Sequence, residues 1–253
     1  MQRFKLITIA FIVLFITSCA SNIKTLRVAV STNYPPVIFK ENGIVKGMEA
    51  DFAKELANEL GYSVEFVETD WNQILPTLRS GRADIIMSGM SITPERSSYV
   101  SFTTPIMNIS QMLLIRKNEI AKFRKPGNRY YIHSNMKVGV SEGTTGEQLA
   151  RKYLPGNRVH VFENVKIGGQ ALRAGKIDCY VHDSPTIWSY AMKNDRDLIG
   201  VYWKLSDEKM AWAVRKNNFA LLNAVNKVLK KWRYSGKSAR IVSKWIPYKI
   251  ESK

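Results

Sequence analysis

Cysteine and histidine are scarce: the 253 residues include two of the first, Cys19 and Cys179, and three of the second, scattered along the chain. Neither a disulfide framework nor a four-ligand zinc site can be built from them, and no metal or cofactor is expected. Acidic side chains are also in short supply, 21 against 38 Lys and Arg, for a net charge of +17. Such a chain is drawn to anionic surfaces, which include nucleic acid, acidic lipid and lipopolysaccharide. Glycine and proline are unexceptional at 15 and 9, and 45% of residues are hydrophobic, so disordered, collagenous and polytopic membrane classes are excluded. The length is about twice that of a usual domain, with room for two compact lobes or one large α/β unit.

One apolar run stands out, at the N-terminus. Arg3 and Lys5 precede Leu6 to Thr17, twelve residues that are apolar except for two Thr. A basic segment followed by a stretch too short for a comfortable transmembrane span predicts a signal peptide over residues 1–18. The run ends Ile16-Thr17-Ser18-Cys19-Ala20, which resembles a bacterial lipobox. Cys19 is therefore expected to be acylated, to become the mature N-terminus, and to tether the chain to a lipid bilayer through residues 19–24. A plain signal peptide with an incidental cysteine is the alternative. Export removes nucleic acid from the expected partners. Loss of residues 1–18 takes away Arg3 and Lys5 and no acid, leaving +15, so the basic character belongs to the mature chain. Arg215 to Lys253 holds eleven Lys/Arg and one Glu. Solvated helix faces are the first expectation for this excess, and a patch facing an anionic membrane the second.

Strands and helices alternate after the tether. Leu26, Val28 and Val30 give a strand of period two, Ala50 to Leu60 a helix with Ala53, Leu56, Ala57 and Leu60 on one face and Gly61 at its stop, and Val64 to Val67 a second strand. Trp71 to Arg79 reads as a short helix and Asp84 to Met87 as a buried parallel strand. A second β-α-β-α-β series follows: strand Lys137–Val140, helix Gly146–Tyr153, strand Val159–Phe162, helix Lys166–Ala174, strand Asp178–Val181. The two series share a junction, because Leu78-Arg79-Ser80-Gly81-Arg82-Ala83-Asp84 is matched by Leu172-Arg173-Ala174-Gly175-Lys176-Ile177-Asp178. Beyond the matched strands come Ser88-Gly89-Met90-Ser91 and His182-Asp183-Ser184-Pro185, and ligands of open α/β sheets bind at the carboxyl ends of strands. The extended segments Met107 to Lys117 and Met210 to Lys216 predict two hinge crossings. Helices Phe219–Trp232 and Ser238–Ile246 are expected to close the first lobe. The expected division is 25–107 with 212–253 as lobe 1, and 108–211, including the hinge crossings, as lobe 2. Cys179, in a buried strand, is expected to be a core thiol.

A zwitterionic ligand needs a cation for its carboxylate and an anion for its ammonium, and Arg suits the first role because its planar fork makes two parallel bonds to a carboxylate. Arg96 follows Thr93-Pro94, an N-cap with proline at the first helical position. On spacing alone it reads as a surface arginine paired with Glu95.

Several motifs occur in order at matching spacings: Tyr34-Pro35-Pro36, the Gly43–Gly47 turn before Glu49, Trp71-Asn72-Gln73-Ile74-Leu75-Pro76, Ser88 to Arg96 (SGMSITPER), Val138-Gly139-Val140 with Glu142-Gly143-Thr144-Thr145-Gly146-Glu147, and Val181 to Pro185. Together they resemble the family 3 extracellular solute-binding proteins, the polar amino-acid receptors of ABC importers, over roughly residues 24–248. The resemblance implies an α/β fold of the type II periplasmic-binding-protein kind: two lobes, each an open, mostly parallel sheet flanked by helices, joined by a two-strand hinge. It implies that Arg96 grips a ligand α-carboxylate with help from Ser91 and an amide near Thr145. Asp183 would receive the α-ammonium with Ser88 and the Gly89 carbonyl, Tyr34 and Trp71 would sandwich the ligand side chain, and His182 would lie near its end. Ser31 stands where cation-preferring members carry an acid, and Ser141 supplies a hydroxyl, which points to a neutral polar amino acid.

The implied partners are a free amino acid and an inner-membrane ABC permease, with the chain a monomer on the periplasmic face of a membrane or on a cell surface. No catalytic residue is assigned. A cyclohexadienyl or arogenate dehydratase is the enzyme alternative on this fold, but its general acid would have to be Glu142 or Glu49, and no second catalytic group is committed to the cleft. A ligand-sensing lipoprotein is the other alternative. Since no transmembrane, kinase or transglycosylase segment follows Ile246, delivery to a permease is the expectation.

Overall fold

The computed structural model describes residues 23–125, 129–201 and 203–247. The expected signal peptide and Cys19 lie outside the described residues. Two five-stranded sheets organise the chain. The first runs, in spatial order, Ser63–Glu68, Thr25–Val30, Ile85–Ile86, Ala213–Arg215 and Val100–Phe102. The second runs Val159–Phe162, Val138–Ser141, Cys179–Asp183, Gln111–Arg116 and Leu198–Val201.

The first three strands of each sheet are parallel and connected by helices, as the repeated β-α-β-α-β pattern requires. The sheets are mixed rather than mostly parallel, because Ala213–Arg215 and Gln111–Arg116 each run antiparallel to both neighbours. The direction has a simple cause. The parallel strands point their carboxyl ends at the space between the lobes, and a strand arriving through the hinge starts there and runs away from it. The hinge itself is Met107–Ile109 paired with Glu208–Met210. It is shorter than the extended segments 107–117 and 210–216, since most of each already belongs to a lobe's sheet.

The repeated junction is a repeated geometry. Gly81 (φ +80°) and Gly175 (φ +69°) follow the capping residues Ser80 and Ala174 in the left-handed region that only glycine enters freely. Each aspartate then clamps the first strand of its own lobe. Asp84 donates its amide to Arg27 O at 2.8 Å and its carboxylate accepts the Arg27 amide at 3.1 Å. Asp178 does the same with Lys137, at 2.8 and 2.7 Å. This fixes the register of the strands whose far ends carry the two loops.

Each lobe has its own core. The Met48–Leu60 helix buries Phe52, Ala53, Leu56 and Ala57, and the Phe219–Tyr234 helix buries Val225, Val228, Leu229 and Trp232 against them. Phe52 lies against Trp212 and Trp232, with ring centroids 5.5 and 5.9 Å apart. Leu113, Ile115, Val138, Cys179 and Val181 pack together in the second lobe, where burial raises the Cys179 thiol pKa and leaves it an inert core group. No helix of the described residues is long and apolar enough to cross a membrane.

Glu49, in the first turn of the Met48–Leu60 helix, is wholly buried. It accepts the Gly89 amide at 3.1 Å and the Trp212 indole N–H at 2.6 Å, tying the Ser88–Ser91 loop to the core. Burial is the dominant cause that pushes its carboxyl up from 4.5 to about 7, against those two bonds. A folded-state value above the unfolded one means that the native state holds the extra proton. This contribution to stability is full below pH 4.5 and is lost as pH rises through about 7. Denaturant titrations should find wild-type stability falling by on the order of 3 kcal/mol from this group between pH 4.5 and 7.5, and Glu49→Gln should lack that slope while being less stable at pH 5.

Candidate functional site

The two loops face one another across a cleft lined by Ser31, Tyr34, Trp71, Ser88, Arg96 and Asp183, among others. Ser88 is held by the Ser31 amide, which donates to its hydroxyl at 2.9 Å, and Gly89 adopts φ +68°. A Cβ on Gly89 would sit 2.3 Å from Tyr34 Cε1, so the ring lies directly on the loop backbone. Thr93 caps the short Pro94–Tyr99 helix by accepting the Arg96 amide at 3.1 Å, which fixes the backbone from which the arginine projects.

Arg96 is buried, with 7% exposure, and forms no ion pair with Glu95. Its guanidinium donates to Ser91 O at 3.0 Å and to Gly143 O, in the other lobe, at 3.2 Å, and lies 5.3 Å from the Trp71 ring centroid. Burial lowers its pKa, while Asp183, Glu208 and Glu95 oppose the shift. Trp71 also reaches across, donating Nε1–H to Gly143 O at 3.0 Å.

Asp183 occupies the N-cap of the Ser184–Lys193 helix, yet its side chain makes no capping bond. The carboxylate instead turns into the cleft, where it accepts from Tyr34 OH in lobe 1 and Gln111 Nε2 in lobe 2. Burial raises its pKa and the proximity of Glu208 adds to that, whereas His182 and the two donors pull it down. His182 accepts the Asp183 amide at Nδ1 at 2.8 Å, and burial lowers its pKa, so the ring is a neutral acceptor at that nitrogen.

The residues anticipated from the sequence therefore surround one space. Tyr34 does more than offer a ring face, because its hydroxyl is spent on Asp183. Ser141 is buried and paired with Tyr180 OH at 2.7 Å. Of the two acids weighed as a catalytic acid, Glu49 lies beneath the loop as a core acceptor and Glu142 lies exposed on the cleft rim. Asn33, Thr144, Glu163 and Asn164 join the lining unannounced by the sequence.

Gln111 and Glu208 were also missed. Ser91 Oγ and Thr145 Oγ1 both donate to Glu208 Oε2, at 2.6 and 2.7 Å. Gln111 Nε2 and Ser206 Oγ donate to Oε1, at 3.1 and 2.6 Å. A polar pair, Ser110-Gln111, interrupting an apolar strand was the available signal for Gln111. Glu208 lies in a polar stretch and offered none. Among the described residues, no group of three or more His, Cys, Asp or Glu could hold a metal ion.

Two separately cored lobes, a two-strand hinge and a cleft with a buried guanidinium on one side and a buried carboxylate on the other define a receptor that encloses a small charged solute. The chain belongs to the bacterial extracellular solute-binding proteins, family 3, whose profile matches residues 26–248. It is 28% identical to the L-cystine-binding protein TcyJ of Escherichia coli strain K12 over 223 residues, 88% of this chain and 82% of that protein. It is also 28% identical to ABC transporter arginine-binding protein 1 of the same strain over 250 residues, 96% and 99% of the two chains. Among solved structures, it superimposes on an ancestral amino-acid-binding protein described as a precursor of cyclohexadienyl dehydratase, with TM-score 0.79 and 39% identity over 87% of this chain and 95% of the other. An ancestral arginine-binding protein bound to glutamine gives TM-score 0.78 and 34% identity over 88% and 98%. The family places the chain outside the cytoplasmic membrane as a solute receptor.

Gly89→Ala tests the loop geometry. The new methyl meets the Tyr34 ring and the left-handed backbone at once, so the variant should lose about 1–3 kcal/mol of stability in denaturant titration. Displacing Tyr34 from Asp183 should also weaken any ligand-induced rise in melting temperature.

Proposed function

We propose that the protein is an amino-acid receptor that closes around a free amino acid and delivers it to an ABC importer, without catalysing a reaction. One observation carries the reading: Arg96 and Asp183, from opposite lobes, are both buried in the same cleft and form no ion pair with each other. A zwitterion supplies what each lacks, a carboxylate for the guanidinium and an ammonium for the carboxylate. Burying either charge of the ligand alone is costly, so affinity depends on the lobes coming together. The relatives named above as cystine- and arginine-binding support this reading, as does the ancestral structure holding glutamine.

The deep wall of the pocket carries Ser31, Ser141 and a neutral His182, which favours a neutral polar side chain, glutamine being a fitting size class. A second reading rests on the rim. Glu142 and Glu163 both line the cleft from lobe 2, and among the described residues neither has a cationic partner. A long basic side chain would reach them. The dehydratase alternative lacks support, since Glu49 is committed to Gly89 and Trp212. For localisation, the N-terminal Leu6–Cys19 segment supports an exported lipoprotein acylated at Cys19, with residues 25–107 and 212–253 forming lobe 1 and 108–211 lobe 2.

Thermal unfolding in the presence of each of the twenty amino acids, cystine, prephenate and arogenate tests the reading, because a ligand that binds only the native state raises the midpoint by mass action. A shift with glutamine or another neutral polar amino acid is expected. Arg96→Ala and Asp183→Asn should each weaken binding by roughly a hundredfold or more while still unfolding cooperatively, as expected when a buried charged hydrogen-bond partner is removed. A shift with arginine or lysine that Glu142→Gln/Glu163→Gln abolishes would establish the basic reading. A shift with prephenate alone would overturn the receptor.

Replacement of Cys19 by Ser should move the protein from the membrane fraction to the soluble fraction.

A further inference from the structure

Glu208 stands on the hinge strand Glu208–Met210, between the lobes and outside every motif that carries the family resemblance. Its carboxylate gathers four donors. Ser91, at the end of the lobe 1 loop, donates to Oε2 at 2.6 Å, and Thr145, the first residue of the lobe 2 helix Thr145–Tyr153, donates to the same oxygen at 2.7 Å. Ser206 and Gln111 donate to Oε1 at 2.6 and 3.1 Å. No Lys or Arg pairs with it among the described residues. Hydroxyl hydrogens given to Glu208 by Ser91 and Thr145 are not free for a ligand carboxylate. That role falls to Arg96 and backbone amides, and the two hydroxyls instead link the lobes through a third element.

We infer that Glu208 is a positioning residue for ligand binding: a hinge-borne carboxylate that joins Ser91 of one lobe to Thr145 of the other and so supplies part of the free energy of closure from the protein itself. Its oxygen Oε2 can hold both hydroxyls only when the Ser91 loop and the helix start at Thr145 are brought together. A binding-competent population raised in this way tightens every ligand by the same factor, because apparent affinity scales with the fraction of competent conformers. A group touching the ligand would instead change one ligand relative to another.

The inference rests on the amino-acid-receptor reading of the cleft, and the test separates the two. Calorimetric titration of the full chain with L-glutamine and with L-arginine compares wild type, Glu208→Gln and Glu208→Asp. The glutamine variant keeps the shape but presents a donor where an acceptor is needed. The aspartate variant keeps the charge but withdraws it by one methylene. Both are expected to weaken whichever of the two ligands binds wild type by roughly ten- to a hundredfold, the worth of a bridge to a charged acceptor, and to leave the glutamine-to-arginine ratio unchanged.

In ligand-free protein, amide hydrogen exchange is measured over Asp70–Gln73 and Ser141–Thr144. These segments meet across the cleft through Trp71 and Gly143 and do not bond Glu208. Exchange there should be faster in both variants, while core strands such as Cys179–Asp183 keep wild-type protection, which separates opening from general loosening. Unchanged exchange at those segments overturns the inference. So does wild-type affinity in Glu208→Asp, which would make charge rather than the bridge the operative property. Tighter binding in Glu208→Gln also overturns it, since Glu208 would then compete with the ligand for the two hydroxyls. If neither amino acid binds wild type, the receptor reading fails for these ligands, and the exchange comparison still decides the role of Glu208.

Discussion

Arg96 and Asp183 are buried close to one another without pairing, and much of the rest of the molecule follows from the need to keep them so. A guanidinium and a carboxylate taken out of water are costly unless each is met by hydrogen bonds or an opposite charge. Here each is met only in part. Arg96 leans on two carbonyl oxygens and a tryptophan face, and Asp183 on a phenol and an amide. The remaining capacity of both groups is directed into one cleft. Each group also borrows a partner from the opposite lobe, Gly143 O for Arg96 and Tyr34 OH for Asp183, so the electrostatics of the site and the closure of the hinge are one equilibrium.

The scaffold makes that equilibrium sharp by keeping each lobe rigid. Asp84 and Asp178 clamp equivalent strands in the two lobes through the same pair of backbone contacts, and the strands so fixed end at the two functional loops. Beneath the first loop, Glu49 holds the Gly89 amide from inside the core, and Gly89 in turn carries the Tyr34 ring on its backbone. A chain of contacts thus runs from the centre of lobe 1 to the carboxylate of lobe 2. Neither core extends across the cleft, so motion is confined to the short pairing of Met107–Ile109 with Glu208–Met210.

Basic charge is distributed unevenly over this scaffold. Asp51, Glu55 and Glu59, one helical stripe of Met48–Leu60, pair with Lys244, Lys237 and Lys231 of the closing helices. The C-terminal excess read from the sequence is therefore partly neutralised within lobe 1, where it fastens these helices to the core, and exposed pairs of this kind each contribute little on their own. The cleft carries the opposite bias, with Asp183, Glu208, Glu142 and Glu163 against Arg96.

The sequence by itself determined the elements and their order. Hydrophobic period, glycine stops and the doubled junction around Gly81 and Gly175 are local signals, and local signals survive translation into structure. Thr93 as a cap and the loops at Ser88 and His182 were legible for the same reason, and the ordered motifs led to Arg96, Asp183, Tyr34 and Trp71. What only the tertiary structure decided was non-local. The reversal of the strand entering each sheet from the hinge is invisible to periodicity, because parallel and antiparallel strands have the same alternation. Glu49 could not be told from an ordinary first-turn acid until Trp212, far along the chain, was seen to reach it. Glu208 reads as one more polar residue between Asp207 and Lys209, and it acquires meaning only because the hinge sets it between Ser91 and Thr145, residues that approach one another when two lobes, folded separately, come together.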